Sequence, residues 1–166
     1  MTAITLEGKT INTSGELPAV GTNAPDFHLT TVELNDINLT EFNGKRKILN
    51  IVPSIDTGVC AESTKKFNAA ADTIDNVQIF TISADLPFAL NRFFQAEKIE
   101  NVMPLSMMRS RNFAKDYGVL IQDGPLAGVT ARAIVVLDED NKVLYTEQVP
   151  EITQAPDYDK AIAVLS

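Results

Sequence analysis

Cysteine occurs once in these 166 residues, at Cys60, and histidine once, at His28. A single cysteine excludes an internal disulfide and a cysteine-rich zinc site. One histidine argues against a metal centre of any kind; carboxylates scattered along an acidic chain need no metal to explain them. Long hydrophobic runs are missing, so no stretch reads as a membrane-spanning helix. Positive charge is scarce: 14 Lys and Arg stand against 22 Asp and Glu, a net charge of −8. That balance excludes the basic footprint of a nucleic-acid binder. The nearest basic cluster, Lys45-Arg46-Lys47, is too short for a binding stripe and reads as a solvated turn. The first residues, MTAITLEGKT, lack the apolar core and cationic start of a secretion signal. No phosphate-cradling GxxxxGK(S/T) or GxGxxG loop is present, nor any repeat or low-complexity segment. What remains is the profile of a cytoplasmic, reduced protein. Its length suits one domain, residues 1–166.

Hydrophobic periodicity gives the organisation. ITLEGKTINT reads as an N-terminal β-hairpin over about residues 3–13, with Ile4, Leu6 and Ile11 alternating with polar residues. DFHLTT and INL read as short strands, and Thr40 as the cap of a single turn ended by Asn43-Gly44. KILNIVP is continuously apolar, as in a strand buried on both faces. A helix follows, with Val59, Ser63, Phe67, Ala70, Ala71 and Ile74 on one face. VQIFTIS is the next strand. Asp85 as cap and Pro87 in the first turn open a helix reaching about Glu97. VMPLS is a strand, and Ser110 caps a helix that stops at Tyr117-Gly118. GVLIQ and ARAIVVL are strands; the latter pairs with KVLYTEQV across DEDN. Pro156 opens a last helix. Strands alternating with helices, then a hairpin and a helix, predict an α/β protein: a central mixed β-sheet flanked by helices, in the order of thioredoxin-like folds.

Cys60 follows the first core strand through a short loop and enters the first turn of a helix. Two readings are open. Lone cysteines are most often small buried hydrophobes. However, that edge of a parallel sheet is where ligands bind, and a helix N-terminus offers free N–H groups and partial positive charge that stabilise a thiolate. Thioredoxin-like proteins carry CxxC here. In Thr57-Gly58-Val59-Cys60 a threonine replaces the first cysteine, so dithiol exchange within the motif is lost. A cysteine hydrolase needs a histidine partner, and His28 lies in a short strand where a structural role is favoured. Arg132, in the apolar segment GVTARAIVVL, is either at an exposed strand edge or aimed at an anion that its rigid fork of donors suits. Thr57 is a plain N-cap, or a hydroxyl that meets the thiolate and an incoming oxygen. Pro53 fixes the strand exit and would shield the thiolate from water.

The stretch PSIDTGVC, from Pro53 through Thr57 to Cys60, matches the PxxxTxxC signature of peroxiredoxins. The segments GKRKILNIVPSIDTGVCAES, ISADLPFA, YGVLIQDGPLAG, ARAIVVLDED and EITQAPDYDKAIAVL resemble the bacterial thiol peroxidase branch in order and spacing, over nearly the whole chain. The resemblance implies a thioredoxin-like fold, a homodimer, and reduction of hydrogen peroxide and organic hydroperoxides without a cofactor. Cys60 would be the peroxidatic thiolate, oxidised to sulfenic acid. Thr57 and Arg132 would position peroxide, and Pro53 would shield the site. Members of this branch carry a resolving cysteine in a segment like RFCGAE; here it reads Arg92-Phe93-Phe94-Gln95-Ala96-Glu97, with Phe94 at the resolving position. Regeneration then falls to an external thiol, thioredoxin or a small molecule. Leu86, Phe88, Met103, Met107 and Met108 point weakly to organic hydroperoxides; the methionines suit core filling equally. The rival reading is a redox-sensing or binding domain whose Cys60 oxidises without turnover.

Overall fold

The strand containing Ile48 is apolar on both sides because both of its faces are covered. In this computed structural model, which describes residues 1–166, it is β5 (Arg46–Ile51), the fifth of nine strands. Before it come β1 (Ala3–Leu6), β2 (Lys9–Asn12), β3 (His28–Thr30) and β4 (Asp36–Asn38). After it come α1 (Gly58–Ala71), β6 (Val77–Ser83), α2 (Pro87–Ala96), β7 (Val102–Ser106) and α3 (Asn112–Asp116). The chain ends with β8 (Ala133–Leu137), β9 (Val143–Gln148) and α4 (Tyr158–Ala163). β1 and β2 form a separate hairpin; the other seven strands form one sheet in the order β4-β3-β7-β6-β5-β8-β9. β5, β6 and β7 run parallel, while β8 and β9 join antiparallel on one side and β3 on the other. This is the mixed sheet flanked by helices, with an N-terminal β-hairpin, that the alternation of elements predicts.

The two-residue period of the strands divides the core. Ile48, Ile79 and Ile134 pack with Phe67 of α1, Leu90 and Phe94 of α2, and Ala161 of α4. Leu49, Ile51, Phe80 and Ile82 pack on the other side, with Ile4 and Ile11 of the hairpin and Phe113 of α3. The hairpin turns at Glu7-Gly8 with φ of 49° and 81°, the doubly positive geometry that matches strand twist. No helix is long and apolar enough to cross a membrane.

Several ends depart from the sequence reading. α1 stops at Ala71, so Ile74 reaches the core from the following turn. Asp85 does not cap α2: Leu86 is the N-cap and Pro87 the first helical residue. The Asp85 carboxylate instead turns back to Ser54, Ile55 and Ser83. Ser110 yields the cap of α3 to Arg111, and its hydroxyl accepts the Asn112 N–H at 3.2 Å. α3 does end at Tyr117-Gly118. Gly118 has φ of 70°, and a Cβ there would collide with the Glu16 backbone, so glycine is required. GVLIQ is not a strand. Leu120 and Ile121 make single bridges to Thr130 and Thr13. The segment folds back on itself, the Ala131 N–H donating to the Val119 carbonyl and the Gly128 N–H to Ile121. The 3-10 turn Leu39–Phe42 opens at Asn38 rather than Thr40, and the Glu41 carboxylate accepts the Asn38 N–H at 2.5 Å. Asp157 caps α4, leaving Pro156 just outside it.

Candidate active site

Cys60 is the third residue of α1, which starts at the C-terminal end of β5. Its thiol is fully buried and free of any disulfide. Arg132 immediately precedes β8, two residues before Ile134, so it shares the face of the sheet that α1 covers. Arg132 Nη1 donates to Cys60 Sγ at 2.8 Å, and Nε donates to the Ile152 carbonyl at 2.9 Å. The arginine is 3% exposed, and no carboxylate lies within ion-pair distance of it. Of the two readings of Arg132, the exposed strand edge is therefore excluded. A buried guanidinium is costly without an anion, and the group it meets is the Cys60 sulfur.

Thr57 occupies the N-cap position, but its hydroxyl caps nothing. It donates to the Ser54 carbonyl at 3.2 Å and makes no hydrogen bond to the sulfur. Thr57, Pro53 and Arg132 nevertheless line one pocket of about 340 Å³ at the start of α1. Its apolar wall comes from Leu6, Leu126, Val129 and Ile152. These were not legible in the sequence: Leu6 belongs to the distant hairpin, and Leu126 and Val129 to the loop misread as leading from a strand. Leu86 and Phe88 lie outside this pocket and are 53% and 65% exposed, while Met107 is buried in the core. The residues expected to bias substrate choice are therefore not the ones that line the cavity. His28 is exposed on β3, across the sheet from Cys60, so the two cannot form a catalytic pair. Phe94 is buried among Leu90, Ile99 and Val102, and lines a different groove that shares no residue with the pocket of Pro53, Thr57 and Arg132.

Behind the pocket wall sits Glu151. One carboxylate oxygen accepts from Thr5 Oγ and the Gly8 N–H of the hairpin, the other from the N–H and Oγ of Thr153. These bonds, led by the Thr153 and Gly8 N–H groups, hold its pKa down at about 2. Glu151 thus latches the hairpin to the segment whose Ile152 carbonyl holds Arg132.

Comparison with known proteins places this arrangement. The family model described as Redoxin matches residues 19–162. The chain is 49% identical to a thiol peroxidase of Corynebacterium glutamicum over 160 residues, 96% of each protein. It is 53% identical to a thiol peroxidase of Mycobacterium bovis over 165 residues, 99% of each. Among solved structures, a peroxiredoxin-like protein from Aquifex aeolicus superposes with a TM-score of 0.93 at 36% identity, covering 99% of this chain and 96% of that one.

The Glu151 latch makes an acid-sensitive prediction. Its carboxyl has an ordinary value of 4.5 and is lowered to about 2 in the fold. Its contribution is therefore complete above the ordinary value and lost as pH falls through the lower one. The Gly8 and Thr153 amide resonances should titrate together with a midpoint near the lowered value. Glu151→Gln should abolish that shared step. A midpoint at the ordinary value would show that the latch is not formed.

Proposed function

The chain belongs to the Redoxin family, in its thiol peroxidase branch, and we propose that its thiol-dependent peroxidase activity is carried by Cys60, with Arg132, Thr57 and Pro53 completing the site. The observation that carries this reading is the 2.8 Å contact between the single thiol and a buried guanidinium that has no carboxylate partner. Nothing in the geometry favours a non-turnover redox sensor.

The steps need only these groups. The Cys60 thiolate attacks one peroxide oxygen, the O–O bond breaks, and the other oxygen leaves as water or alcohol after taking up a proton. Sulfur loses two electrons and becomes a sulfenic acid. Arg132 and the N–H groups at the start of α1 offset the charge that develops on the leaving oxygen. Thr57 turns its hydroxyl from the Ser54 carbonyl to the peroxide, and Pro53 keeps water from the sulfur. The apolar wall of Leu6, Leu126, Val129 and Ile152 supports organic hydroperoxides alongside hydrogen peroxide. With Phe94 at the resolving position and no second cysteine, an external thiol reduces the sulfenic acid. It does so through a mixed disulfide that a further thiol cleaves; thioredoxin or a small thiol serves. Such reductants are kept reduced in the cytoplasm, where we place the protein. Two copies would form a homodimer, which the exposed Leu86, Phe88 and Met108 support. Sedimentation at micromolar concentration and cell fractionation test these last two assignments; a monomer, or recovery outside the cytoplasm, contradicts them.

Cys60→Ser should retain the fold and lose peroxide reduction, because a serine hydroxyl does not ionise near neutral pH. Arg132→Met should slow Cys60 oxidation by at least about 100-fold, the scale for losing one preorganised donor. Lysine there restores only part of the rate, lacking the fork. Turnover in the serine variant, or a wild-type rate in the methionine variant, would contradict the assignment.

Phe94→Cys tests the resolving position. After one equivalent of peroxide, the introduced thiol should form an intrachain disulfide with Cys60. Closing it requires Cα atoms within about 7 Å, hence local unwinding of helix ends. Loss of a buried ring from α2 lowers the cost of that unwinding. Peptide mapping that finds the introduced thiol free beside a sulfinic Cys60 would show that position 94 does not resolve.

A further inference from the structure

Asp85 lies outside the pocket, yet it grips the loop that shapes it. Its Oδ1 accepts from Ser54 Oγ at 2.8 Å, and its Oδ2 from the Ile55 N–H at 2.7 Å and Ser83 Oγ at 2.7 Å. Its backbone carbonyl accepts from Ser106 Oγ at 2.5 Å. One residue thereby ties together the C-terminal ends of the three parallel strands: Ser54 lies just beyond β5, Ser83 ends β6 and Ser106 ends β7.

The Ile55 side chain packs into the core with Phe67 and Leu90, but the polar groups of residues 53–57 have few partners. Within the loop, Ser54 is the hub. Its hydroxyl oxygen accepts the Asp56 N–H, and its carbonyl accepts both the N–H and the hydroxyl of Thr57. Apart from these turns and the first helical bond, from the Ala61 N–H to the Thr57 carbonyl, the loop's hydrogen bonds all go to Asp85. Three donors converge on the side chain, and only a carboxylate accepts three without presenting a donor of its own. Charge-assisted bonds to it are stronger than neutral ones.

We propose that Asp85 is a positioning residue for peroxide reduction: through Ser54 and Ile55 it sets where the Thr57 hydroxyl and the start of α1 stand relative to the Cys60 sulfur. The proposal rests on the reading of Cys60 as the peroxidatic residue. Asp85 touches neither sulfur nor pocket, and it acts on peroxide alignment rather than on the Arg132–Cys60 contact, which arrives from β8. Losing it should therefore separate two reactivities of one thiol. Peroxide needs the aligned loop; a simple alkylating reagent needs entry to the buried sulfur but no alignment of the Thr57 hydroxyl.

The test uses the full chain, with single-turnover oxidation of Cys60 by hydrogen peroxide and alkylation by iodoacetamide measured side by side. Oxidation of wild-type Cys60 tests the underlying reading by itself, and the variants are scored relative to it. Asp85→Ala should slow peroxide oxidation at least about ten-fold, since small misplacements of a reacting group carry penalties of that order. Alkylation should stay unchanged or become faster. Asp85→Asn, which keeps one acceptor, should recover part of the peroxide rate. A folded Asp85→Ala protein with a lower melting temperature but a wild-type peroxide rate overturns the proposal, as does an equal loss of both reactivities. If the alanine variant does not fold, Asp85→Asn decides by the same comparison: a loss of at least about three-fold for peroxide alone supports the role, and a wild-type rate overturns it.

Discussion

A guanidinium without a carboxylate is the constraint on which the site depends. Arg132 is buried, and its fork is divided between the Ile152 carbonyl and the Cys60 sulfur. A carbonyl supplies a dipole but no charge, so the sulfur is the group that can balance the arginine. The contact matters to both residues: the sulfur is the only side-chain partner of the guanidinium, and the guanidinium is the charged group set against the sulfur. Removing a partner from a buried donor leaves that donor unsatisfied, at a cost of about 1–3 kcal/mol.

The architecture delivers the pair from two separate parts of the chain. β8 lies antiparallel beside β5, with Ala133 opposite Ile51, so the residue before Ala133 falls next to the loop that leaves β5. Side-chain alternation then directs Arg132 to the face under α1, whose first turn carries Cys60. Around this contact stand two carboxylates that never touch the sulfur. Glu151 joins the N-terminal hairpin to the segment containing the Ile152 carbonyl. Asp85 joins the β5 exit loop to the ends of β6 and β7. The hairpin contributes more than an edge ornament, because its Leu6 forms part of the pocket wall.

The strand-loop-helix passage through Cys60 was legible because a doubly buried strand, a proline and a helical pattern follow one another within a few residues. The hairpin was legible from alternation around Glu7-Gly8. Arg132 was ambiguous, since an arginine among apolar neighbours reads alike at an exposed edge and in a buried pocket; only the register of β8 against β5 separates the two. Thr57 stood at the expected N-cap, yet its hydroxyl donates to the Ser54 carbonyl instead of capping the helix. Asp85 looked like a helix cap because acid before Pro87 is a common cap pattern. Its true partners, Ser54 and Ile55, are about 30 positions away, and no local signal announces them. The Ile152 carbonyl is backbone, which carries no sequence signature. GVLIQ had the composition of a strand, but its hydrogen bonds are scattered: some close the segment on itself, and others go to Ala114 in α3 and to Asn12 and Ser14 at the end of the hairpin.

The most direct test of the central claim is the rate at which the thiol of the unaltered protein reacts with peroxide. Stopped-flow mixing with one equivalent of hydrogen peroxide, followed by intact-mass analysis, measures that step without any reductant. A thiolate held against Arg132 in a preorganised pocket should react at least about 100-fold faster than free cysteine at the same pH. It should gain the mass of one oxygen. A rate equal to that of free cysteine, with no sulfenic product, would contradict the account.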